Sequence, residues 1–143
     1  TLNLLSMFKS FLDHGKAALT RRFGEESHQL HSWEKAQNIE YDASSAYRLF
    51  SNLRNYAQHV GMPPLHFSLQ AGVEKEGVEI TLEFYRDELL SKYSRWSKDA
   101  KLDLVNGADR VFLLPNLDEW SKCFHRLVKF IQTIRRDEDP RIR

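Results

Sequence analysis

Four residues, Gly61-Met62-Pro63-Pro64, divide this chain into two folding regimes. Two successive prolines supply no backbone N–H and lock φ, so a helix arriving from the N-terminal side must end there. Upstream, apolar residues recur every three to four positions. Downstream, Leu65, Phe67 and Leu69, then Val78, Ile80, Leu82 and Phe84, alternate with polar residues around the sequence EKEG. That alternation predicts a two-stranded hairpin with one buried face at about 65–84, in a chain that is otherwise helical.

Five helical segments surround the hairpin. The first runs over Leu2 to Phe23, with Leu4, Leu5, Phe8, Phe11, Leu12, Leu19 and Phe23 at helical spacing, Gly15 weakening its middle and Gly24 placed as a C-terminal cap. A shorter one over 25–38 carries Leu30, Trp33 and Ala36. The third begins near Asp42 or Ser44, both good N-cap types, and stops at Gly61. A fourth, at about 87–105, brings Leu89, Leu90, Tyr93, Trp96 and Leu102 and closes at Gly107. Asn116 with Glu119 reads as the capping pair of the fifth, whose stripe contains Leu117, Trp120, Phe124, Leu127, Val128, Ile131 and Ile134. These stripes satisfy one another in a mainly α fold, an antiparallel helical bundle with an appended β-hairpin. Residues 1–136 are expected to form one domain, and 137–143 a charged tail.

Composition bounds the function. With 143 residues, 41% hydrophobic and 29% charged, the chain belongs with globular proteins. A net charge of +1 lacks the basic excess of a dedicated duplex binder. The single Cys123 forms no internal disulfide, which suits a reducing cytoplasm, and no apolar run approaches the roughly 20 residues that span a membrane. A start without Met, directly on LNLLSMFKSFL, is expected of a trimmed chain or a piece of a larger protein.

The third helix is the unusual one. At about 100° per residue, Leu49, Phe50, Leu53, Tyr56, Ala57 and Val60 form its core face. Ser44, Arg48, Ser51, Asn55, Gln58 and His59 occupy the opposite arc, with Asn52 at its edge. Ser and Asn are mediocre helix formers, and a solvated face is better served by Glu, Lys, Gln or Ala. No Asp or Glu follows Asp42 on this helix, so the stripe is written to face either another chain or a polar, anionic ligand. Asn55 and His59 are one turn apart, and Asn55 is placed to orient the imidazole. Arg54 lies five residues before His59, about 140° around the axis.

Arg54, Asn55, three residues and then His59, late in a long helix of a small bundle, resembles the signature of HEPN-domain ribonucleases. The stretch YRLFSNLRNYAQHVGMPP as a whole is similar to the core of bacterial HEPN-type proteins linked to toxin and phage-defence systems. The resemblance implies a homodimer in which two copies of the motif face one another across a cleft, and metal-independent cleavage of RNA. No cofactor is expected, an antitoxin or a larger protein is the expected context, and the single Cys123 and the lack of a long apolar run lead to the expectation of a cytoplasmic chain with no membrane partner. The family often has Tyr two residues after the His, where this chain has Gly61, and the hairpin is outside the plainest family pattern.

The chemistry suits those residue types. Metal-free RNA cleavage needs a base for the 2′-hydroxyl proton, a cation for the charge growing on phosphate, and an acid for the leaving 5′-oxygen. Histidine is the side chain that exchanges protons near neutral pH, which casts His59 as base or acid. Arg54 can clamp a phosphate bidentately and Asn55 can fix the ring or donate to phosphate. Arg48 is placed to hold a neighbouring phosphate, with Ser51, Asn52 and Gln58 as further substrate-binding positions. The expected products are a 2′,3′-cyclic phosphate and a 5′-hydroxyl. An alternative from another class is a non-catalytic RNA- or nucleotide-binding or dimerisation module, because a His near a helix C-terminus also complements the helix dipole. Weaker signals are His28 with His31 at metal-ligand spacing, Asp13 with His14, and Cys123, which has no activating neighbour.

Overall fold

The computed structural model describes residues 2–71 and 77–137. Its elements run α1 (Leu2–Phe23), α2 (His28–Ala43), α3 (Ser45–His59), β1 (His66–Ala71), β2 (Val78–Tyr85), α4 (Arg86–Lys92), α5 (Lys98–Asn106), β3 (Arg110–Phe112) and α6 (Leu113–Asp137). The expected EKEG turn falls mostly, and the expected charged tail almost entirely, outside the described residues.

Local chemistry sets the helix ends. Ser27 caps α2 by accepting from the Leu30 N–H at 3.2 Å, so that helix starts after the 25–38 expectation and runs on to Ala43. Ser44 is a one-residue joint. Its N–H donates to the Glu40 carbonyl, ending α2, while its hydroxyl accepts from the Tyr47 N–H and starts α3. Gly24 closes α1 with φ +98°, and Gly61 follows α3 with φ +134°, a left-handed conformation that glycine adopts without steric cost.

The helices gather around α3, which packs against α1, α2, α5 and α6. Leu53 and Trp33 are completely buried, and Phe8 meets Tyr47, Trp120 and Phe124 edge-on with ring centroids 5.0–5.6 Å apart. Gly15 has a packing reason: a Cβ there would lie 2.8 Å from Ile131 Cδ1 and 3.1 Å from the Trp33 ring. Val60, expected in the core, is instead the exposed C-cap of α3.

Two expectations about the helices are corrected. The 87–105 helix is two helices, broken because Trp96 turns inward and donates its indole N–H to the Leu89 carbonyl, after which Ser97 caps α5. The last helix begins at Leu113, and Asn116 lies inside it, donating to the Phe112 carbonyl at 2.7 Å instead of capping the end. Pro115 is tolerated in that first turn, where backbone N–H groups have no intrahelical partner.

The hairpin also gains a strand. β3 pairs antiparallel with β2, Phe84 opposite Val111, giving the order β1-β2-β3. Its apolar face is buried only along the end of β2 that packs on α4 and α6; Phe67 and Leu69 of β1, and Val78 and Ile80 of β2, are exposed.

Candidate functional site

The stripe on α3 divides into two halves. In the N-terminal half, Arg48 spends its guanidinium on its own fold. Nε donates to Asp103 Oδ2 at 2.6 Å and Nη2 to Oδ1 at 3.1 Å, while Nη1 donates to the carbonyls of Tyr41 and Asp42. Asp103 thereby raises the Arg48 pKa above its already high value.

Asn52 is buried to 3% exposure and acts as a bolt between α3 and the start of α5. Its amide donates to the Arg48 carbonyl at 2.8 Å and to Ser97 Oγ at 3.2 Å, and its own oxygen accepts the Ser97 N–H at 2.9 Å. Tyr41 Oη lies 2.5 Å from the same Ser97 hydroxyl. Arg48 and Asn52, read as substrate-binding positions, are thus committed to internal bonds, their partners lying 55 and 45 residues further along the chain.

The C-terminal half is different. Arg54 and Asn55 are half-buried, Gln58 and His59 exposed, and His59 is the last residue of the helix. Among the described residues Arg54 has no carboxylate partner, whereas Arg48, Arg86, Arg110 and Arg126 each hold one. No hydrogen bond joins Asn55 to His59, so the expected orientation of the ring by Asn55 is not formed within one chain. Ser51 is half-buried nearby.

Just past the motif stands a group that helical spacing gave no reason to single out. His66, the first residue of β1, places Nε2 3.2–3.3 Å from both Glu88 carboxylate oxygens, its ring 4.7 Å from that of Tyr85. Burial alone would raise the Glu88 pKa, but hydrogen bonds from His66 and Lys92 outweigh it and hold the carboxyl below its ordinary range.

Two further carboxylates are enclosed. Glu40 accepts a bidentate pair from Arg126 at 2.7 and 2.8 Å, which lowers its pKa despite burial. Glu83 on β2 is likewise held low by the Arg110 guanidinium. Both join elements of the fold. Cys123 is buried against Arg126, and burial pushes its thiol up, away from nucleophilic duty. No group of three or more His, Cys, Asp or Glu side chains converges as a metal site among the described residues.

A cavity of about 260 Å³ lies between α3, α5 and β3, lined by Leu49, Leu104, Val111 and Phe112. Its charged neighbours Asp103 and Arg110 are both paired, and the motif residues do not line it. No helix among the described residues is long and apolar enough to cross a membrane. No protein-family model, curated protein or solved structure matches the chain.

Proposed function

We propose that the chain is a metal-independent endoribonuclease of HEPN type, acting as a homodimer in a toxin or defence setting, with Arg54, Asn55 and His59 as its working residues. The observation that carries this is the open C-terminal end of α3, where an arginine without a carboxylate partner among the described residues stands close in sequence to an exposed histidine. A polyanion supplies the charge that the fold withholds from Arg54.

In this reading His59 takes the proton of a 2′-hydroxyl, and the freed oxygen bonds to the adjacent phosphorus. The bond from phosphorus to the 5′-oxygen breaks, and that oxygen receives a proton from His59 of a second copy. Arg54 neutralises the phosphate oxygens as charge accumulates on them, and Asn55 donates to one of them. Two copies answer the geometry, since about 140° separates Arg54 and His59 around a single helix. Ser51 and Gln58 border the same stripe and contact the flanking backbone of the RNA.

The test is cleavage of a mixed RNA substrate in excess EDTA by wild type, Arg54→Ala and His59→Ala, each first shown to be folded and equally associated. Cleavage by wild type alone, leaving cyclic-phosphate ends, is the expected result. Full activity in His59→Ala would refute the assignment. Binding of RNA without cleavage would favour the alternative of a silent RNA-binding module.

A further inference from the structure

The hairpin changes character along its length. The register sets Phe67 opposite Leu82 and Leu69 opposite Ile80, so these side chains share one face with Val78 and Phe84. At the base Phe84 is 1% exposed and Leu82 is half-buried, but Ile80 is 57% exposed and Phe67 69%, with Leu69 and Val78 between them. The opposite face is polar, with Ser68 bonded to Thr81 and His66 to Glu88. The helices therefore cover only the root of an apolar sheet face.

A two-stranded overhang with an uncovered apolar face is marginal in water. The edge strand β1, HFSLQA, carries none of the Lys, Asp, Glu or Pro residues with which solitary edges are blunted. Its chemistry narrows the occupant. Among the described residues no charged side chain lies on the exposed face, since Glu79 and Glu83 belong to the opposite one, so nothing there attracts nucleic acid or anionic lipid.

We infer that this face packs against the same face of a second copy of the chain, sheet on sheet about a two-fold axis. An uncharged face meets itself without like-charge opposition, and stacked sheets seat such side chains between layers about 10 Å apart. Phe67, Leu69, Val78 and Ile80 are each more than half exposed, a patch on the order of a few hundred Å² per copy, so that two copies together approach the about 1,000 Å² at which a specific interface begins. The pairing is independent of the ribonuclease reading, because it uses none of the motif residues.

Sedimentation equilibrium of the whole chain tests it. Wild type is expected to associate at tens of micromolar. Phe67→Asp, and the milder Ile80→Thr, which keeps a β-branched side chain, are expected to halve the associated mass or raise the dissociation constant at least tenfold. Both should leave the helical circular dichroism signal unchanged, while Glu79→Lys on the other face should leave the mass unchanged. A monomeric wild type at several hundred micromolar, or a mass unaffected by both face substitutions, overturns the inference. So does association into aggregates without defined stoichiometry.

Discussion

The two halves of α3 carry the same kinds of residue and use them differently. Arg48 and Asn52 are drawn into bonds with Asp103 and Ser97, whereas Arg54 and Asn55, six and three residues further on, have no such partners among the described residues. The lesson concerns the low charge of the whole stripe. In the N-terminal half, short polar side chains let α5 approach closely; in the C-terminal half the same economy leaves the helix itself without carboxylates. One compositional oddity has two causes.

Mutations can separate them. The largest expected effect is in the open half: Arg54→Ala or His59→Ala should lower RNA cleavage by about 10²–10⁴-fold, with a thermal midpoint within about a degree or two of wild type because little folded structure is lost. Next, Asn52→Ala should cost about 2–3 kcal/mol in urea unfolding, since it removes one buried group and strands its partners. Any loss of activity there should follow the unfolded fraction. Arg48→Met should cost about 1–2 kcal/mol by the same measurement, less than a fully buried pair because Arg48 and Asp103 are partly exposed. If Arg48→Met abolished cleavage at full stability, the division of the stripe would be wrong.

The smallest effect concerns a control seam, Glu40 with Arg126, which joins α2 to α6. Arg126 lowers the Glu40 pKa in the folded state, so the unfolded chain binds the proton more readily. The stabilisation is fully present above the ordinary carboxyl range and is lost as pH falls through the lowered folded value. The urea midpoint should therefore drop as pH descends below about 4.5, and Glu40→Gln should flatten that slope.

Much of the fold was legible because it depends on neighbours in sequence. The ends of α1 and α3 follow from Gly24, Ser44 and Gly61, and the hairpin from simple alternation. The α4–α5 break was hidden because Tyr93 and Trp96 continue the helical spacing while serving a non-helical segment; Ser97 with Asp99 two residues on was the available signal. β3 has three residues, too few for any pattern to show. Within the stripe, the motif could be read as a string, but nothing near Arg48 or Asn52 announced Asp103 or Ser97. Alternation likewise says that a strand has an apolar face, and is silent about what covers it.

The Ser97 hydroxyl has one proton and two lone pairs. The N–H of Ala100 and the amide of Asn52 both point at its oxygen, so its proton is directed to Tyr41. Every valence of that oxygen is used, by groups from α2, α3 and α5. The gap between α4 and α5 is consequently a locked joint rather than a hinge: swinging α5 would break bonds to two other helices at once. Displacing α3 at Asn52 would therefore displace the start of α5 with it.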